Sequence, residues 1–244
     1  MLTHLLITFS LCGPCSTKDT IHDVVDPTPF IALWKGASAQ GKLDTRAVHD
    51  TLFQQWFAAI QDARPDDAHP WAQRAYWLHA WHGWFLIVAN RYAGKRTLSV
   101  DSTWRTRDTV VIAGYRHTLE SLEGRVRECF GTCASALLLG TGNVAGFPLL
   151  QDMPRATTVE RALRHRTRSL ARSERFVLWD PGDDVLHVHR SFERLETAMV
   201  KEAGSVVAFL LPFMSDAMAA AVALRAAKVR IFYADVLDRW HRRY

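Results

Sequence analysis

Apolar positions recur with clear periods along much of this chain. From Asp44 to Ala63, Val48, Leu52, Phe53, Trp56, Phe57 and Ile60 share one face at three- and four-residue steps. That spacing predicts a helix with Asp44 as its N-cap. From Trp71 to Tyr92, Trp77, Trp81, Trp84, Phe85 and Val88 follow the same rule, and Gly94 stops the pattern. This is the central helix. Thr109 to Ala113 is a β-branched run that turns at Gly114, and Thr118 opens a further helix with a Thr-x-x-Ser start. Ala136 to Leu139 reads as a short buried strand or helix end. Thr157 to Ser173 is an Arg-rich helix. Phe176 to Trp179 and Val185 to Val188 flank Pro181-Gly182-Asp183-Asp184, a hairpin turn. Helices around Phe192 to Glu202 and Val206 to Ala227, the latter bent by Pro212 or started there, lead to a last strand from Lys228 to Tyr233. The pattern predicts a helix-rich α+β fold: one domain, residues 30–244, with a small, mostly antiparallel sheet.

Residues 1–29 read as a leader or linker. Leu5 to Leu11 is an apolar run, but no Lys or Arg precedes it and no Ala-x-Ala site follows. Export to the periplasm or beyond follows if Met1 to Leu11 is a signal segment; otherwise the cytoplasm is expected. No later segment reaches the roughly 18 uninterrupted apolar residues of a membrane span.

Composition adds little to this picture. An apolar fraction of 48% with 23% charged residues excludes disorder as the default. The net charge of +5 gives a weak preference for anionic surfaces and falls short of a nucleic-acid-binding signature. The Gly140-x-Gly142 loop is no phosphate cradle, and nothing in the pattern calls for a cofactor.

Four groups of residues carry candidate chemistry. Cys12-Gly13-Pro14-Cys15 spells a redox dithiol, but Asp26-Pro27-Thr28-Pro29 leaves little room for the helix such a motif needs. Cys129 and Cys133 are four apart and share a face if the helix from Thr118 extends that far. Cys133 is a candidate nucleophile, with His117 or His79 as base and Glu123 as the orienting acid. The alternative is two small buried hydrophobes. His79 and His82, three apart on a helix, and His187 and His189, two apart on a strand, have spacings compatible with zinc or copper ligation. Trp77, Trp81 and Trp84 offer a stacking surface, although their spacing reads first as core. Arg161, Arg164, Arg168, Arg172 and Arg175 form a basic helical stripe: a surface for phosphate, or an ordinary solvated face.

Three blocks also resemble the domain-of-unknown-function 547 family. The family helix Phe-Trp-Ile-Asn-x-Tyr-Asn-Ala is similar to Tyr76-Trp77-Leu78-His79-Ala80-Trp81-His82-Gly83. Its Ser-Leu-x-x-Ile-Glu-His is similar to Thr118-Leu119-Glu120-Ser121-Leu122-Glu123-Gly124. Its Ala-Leu-x-Cys-Ala-Ser-x-x-Cys-Pro-Pro-Leu ends at Pro148-Leu149, which places the two family cysteines at Thr141 and Gly146. A rival register puts the first at Cys133, in Cys133-Ala134-Ser135. The closing strand resembles Val229 to Leu237. The resemblance covers roughly residues 30–240. It implies a fold distantly similar to thiol hydrolases, in a member whose asparagines have become His79 and His82, whose histidine has become Gly124 and whose cysteines, in the Thr141 register, are lost. The expected function is therefore a non-catalytic binding or accessory module for an unidentified protein or small molecule. Its binding residues would be His79, His82, Trp81, Thr141 and Asn143. A cysteine-dependent hydrolase or transferase using Cys133 is the alternative, and a histidine-based metal-binding protein is the second.

Overall fold

The computed structural model describes residues 20–38, 43–92, 103–140 and 147–235. It is a helix-rich α+β structure with a two-stranded and a three-stranded sheet. The first helix, α1 (Thr28–Ala37), has no counterpart in the sequence reading. The helix expected from Asp44 is in fact two elements. Asp44 caps a 3-10 turn over Thr45–His49, and Asp50 then caps α2 (Thr51–Asp62) by accepting from the amides of Leu52 and Phe53. The extended backbone of Asp50 (ψ 131°) makes the break.

The central helix is α3 (Pro70–Arg91). It is apolar on nearly every side, so it is buried along most of its length. It packs on α5 (Leu119–Phe130) and on the 3-10 turns beside it. Gly83 matters here: a Cβ would lie 3.0 Å from both Phe57 and Trp56 of α2. Phe30 of α1 stacks on Trp56 at 4.0 Å. Ahead of α5, the single-turn α4 (Trp104–Arg107) leads into β1 (Thr109–Ile112), which pairs antiparallel with β2 (Tyr115–Thr118). The loop residues Ala113 and Gly114 both have positive φ, as a two-residue type I′ hairpin requires. Thr118 then makes a full capping box with Ser121, the hydroxyl standing in for the usual carboxylate.

Gly131 ends α5 and starts α6 (Thr132–Leu139), so Cys129 and Cys133 do not lie on one continuous helix. The later half comprises α7 (Val159–Ala171), β3 (Val177–Asp180), β4 (Val185–His189), α8 (Glu196–Ala203), α9 (Val206–Leu210), α10 (Asp216–Leu224) and β5 (Arg230–Ala234). Pro212 interrupts the expected Val206–Ala227 helix with a 3-10 turn over Leu211–Phe213, and Ser215 recaps the chain into α10. β3 and β4 pair antiparallel as expected, whereas β5 joins β4 in parallel.

Two large apolar clusters result, beside a small one of Ala72, Ala75 and Ala156. One gathers α1, α2, α3, α5 and the β1–β2 hairpin; the other gathers the three-stranded sheet with α8 and α9. α6 contributes to both: Ala134, Leu138 and Leu139 to the first, Cys133 and Leu137 to the second.

Candidate functional site

Cys133 is 1% exposed on the first turn of α6, within the second cluster. Burial, reinforced by a hydrogen bond to the Glu202 carboxylate of α8, pushes its thiol up to about 12. A thiol in that state is not a nucleophile. Burial likewise raises the pKa of Glu202. Nor do the proposed partners meet it. His117 bonds Ser121 Oγ at 3.2 Å through Nδ1 and rests edge-on against Trp77, and its Nε2 has no partner among the described residues. Glu123 is ion-paired with Arg105 and Arg127. The expected Cys133–His117–Glu123 set is not assembled, because α6 turns Cys133 into the cluster away from His117.

His79 and His82 are also core residues, 2% and 0% exposed. His79 Nε2 lies 2.8 Å from the Pro154 carbonyl, and His82 Nδ1 lies 2.8 Å from the Leu78 carbonyl. A carbonyl only accepts, so each ring carries its proton on that nitrogen. Burial pushes His79 down to about 4 and His82 to about 3, so both are neutral at pH 7. Trp81 is 3% exposed and stacks on Phe85 at 5.1 Å. All three are packed into the core. Thr141, Asn143 and Gly146 lie outside the described residues, as do Cys12 and Cys15.

His187 and His189 lie on β4, against Phe232 and Phe176. The four histidines do not form one ligand set, and among the described residues no group of three or more His, Cys, Asp or Glu is placed to hold a metal. No helix among the described residues is long and apolar enough to cross a membrane.

The structure does form a cleft of about 530 Å³ between the segment 148–154 and α7. The segment is held from three sides. Trp34 Nε1–H of α1 donates to the Leu150 carbonyl at 2.6 Å, His79 of α3 donates to Pro154, and Arg166 of α7 donates to Pro148. The opposite wall is one stripe of α7 and its entry turn: Thr158, Arg161, Ala162, His165, Arg166 and Ser169, spaced i, i+3, i+4, i+7, i+8, i+11. Gly140 lies at the Pro148 end of the segment, where its Cβ would meet the carbonyls of Pro148 at 2.5 Å and Phe147 at 3.0 Å. The chain on either side of residues 141–146 thus returns to nearly the same place.

Of the predicted basic stripe, only Arg161 belongs to this cleft. Arg164 pairs with Glu160 at 2.5 Å, Arg175 lies over the Phe176 ring at 5.5 Å, and Arg168 and Arg172 are exposed. The sequence reading missed Arg166, although a signal was there. Val159, Leu163 and Leu170 mark the buried face of α7, and Arg166 falls at the apolar step between Leu163 and Leu170. Its Nε donates to the Leu137 carbonyl at 3.2 Å, and burial lowers its pKa to about 10. Glu202, the partner of Cys133, carried no sequence signal at all. No family model, curated protein or solved structure matches this chain.

Proposed function

We propose that this chain is a divergent, non-catalytic member of the domain-of-unknown-function 547 family, and that it works as a binding module through the cleft between residues 148–154 and α7. The observation that carries this reading is the state of Cys133: buried, protonated and bonded to a carboxylate, with no imidazole among the described residues given as its partner. The thiol chemistry that the family's polar residues suggest needs an accessible thiolate and a base within hydrogen-bond reach. The conversion of the family asparagines to His79 and His82 supports the same conclusion. Both side chains are spent on backbone carbonyls, and His79 serves to hold one wall of the cleft.

The test is turnover of chromogenic esters and amides by the full chain and by variants with each cysteine replaced by alanine. The expected result is no turnover above the uncatalysed rate. Hydrolysis that disappears in a single cysteine variant would overturn the proposal.

A further inference from the structure

We infer that the cleft takes a small organic oxyanion: a carboxylate or phosphate head on an apolar body. This rests on the reading of that cleft as the binding surface. Arg166 is the starting point. It is partly buried, yet among the described residues it makes no ion pair; its partners are the neutral carbonyls of Leu137 and Pro148. Two of its five N–H donors are thereby used, and the charge is left uncompensated. A buried charge is costly unless it is paired, so an anion entering here gains more than it would at the surface. Arg161, one and a half turns earlier on the same stripe, is exposed and makes no ion pair among the described residues. His165 lies between them in sequence, on the same wall. The lone carboxylate in the lining, Asp152, is exposed and pairs with none of the three.

The facing wall has a different character. Pro148 and Leu149 give it partly exposed hydrocarbon beside the polar Gln151 and Asp152, while Leu150 and Met153 are turned into the first cluster. One wall offers cations and the other offers hydrocarbon, in a volume within the roughly 300–1,000 Å³ range of small-molecule sites. Inorganic phosphate would use only the first wall and a neutral alkane derivative only the second.

Calorimetric titration of the full chain with octanoate, octyl phosphate, octanol and inorganic phosphate tests this. Saturable one-to-one binding of octanoate or octyl phosphate is expected, with octanol and inorganic phosphate at least tenfold weaker. Which of the two amphiphiles binds tighter identifies the head group, and either result supports the inference. Arg161→Glu, at an exposed position, should keep the wild-type melting profile and weaken the anion at least tenfold. Arg166→Met should abolish binding; since Arg166 also ties α6 to the segment, Arg161→Glu carries the decision if that variant fails to fold. The inference is overturned if neither amphiphile saturates, if octanol or inorganic phosphate binds as tightly, or if Arg161→Glu binds the anion unchanged. None of these results bears on cysteine-dependent turnover, so the failure of this inference and the failure of the non-catalytic reading are distinguishable.

Discussion

The ring of His79 donates its Nε2 proton to the carbonyl of Pro154, 75 residues further along the chain. One hydrogen bond thereby joins the middle of the central helix to the end of the segment that walls the cleft. Replacing His79 with Phe keeps an aromatic ring against Phe30 and leaves the Pro154 carbonyl without its donor. A loss of about 1–3 kcal/mol is expected, the cost of an unsatisfied buried acceptor. Urea unfolding at pH 7 measures it, and an unchanged midpoint would show that Pro154 is satisfied without the ring.

The same burial makes stability depend on acid. His79 and His82 are pushed down to about 4 and about 3, against about 6.5 in the unfolded chain. Above pH 6.5 both states hold neutral rings and the two residues contribute nothing to the pH dependence. Below it the unfolded chain takes up protons that the folded one refuses, so stability falls with pH. By pH 4.5 the loss is on the order of 2–3 kcal/mol per histidine. His82→Asn should flatten the dependence between pH 6.5 and pH 4 by about one proton, read from unfolding free energies across that window. A slope unchanged from wild type would mean that His82 is not buried as described.

Cys133 should resist alkylation in the folded protein at pH 8, while the half-buried Cys129 reacts faster. Burial raises both thiols, so the difference between them is one of access. Site-resolved mass spectrometry of iodoacetamide-treated protein reads it. Rapid labelling of Cys133 near neutral pH would reveal an activating partner and revive the nucleophile.

Gly140 has φ +62° and ψ 176°, a region open essentially to glycine alone, and its missing Cβ leaves room for the Pro148 carbonyl. Gly140→Ala should therefore cost about 1–3 kcal/mol in unfolding free energy. It should also weaken ligand binding in the cleft, since it pushes against the Pro148 end of the wall. Wild-type stability in this variant would show that the backbone there adapts freely.

The helices were legible in the sequence wherever one period ran unbroken: Trp77, Trp81 and Trp84 mark α3, and the arginines spaced along Thr157 to Ser173 mark α7. The interruptions were harder to read. Asp50 splits a pattern that continues in phase on both sides, because a cap changes backbone direction without disturbing the apolar count. Pro212 was expected to bend a helix; Ser215 then starts a new one. The parallel pairing of β5 with β4 depends on where α8 to α10 return the chain, which no local pattern encodes. At the site, the polar residues that looked most chemical, His79, His82 and Cys133, are each occupied by a partner distant in sequence or one helical turn away. Arg166, which ties the two walls of the cleft together, looked like one more charge on a basic helix.

The double allegiance of α6 has a mechanical consequence. Positions four apart on this eight-residue helix face each of two separate apolar clusters, so neither cluster can loosen without exposing one flank of that helix. Cys133 and Leu137 anchor α6 to the cluster around the sheet, and Ala134 and Leu138 anchor it to the cluster around α3. Arg166, bonded to the Leu137 carbonyl, ties that same helix to α7. The guanidinium that lines the cleft is thus also a brace on the helix that the two clusters share.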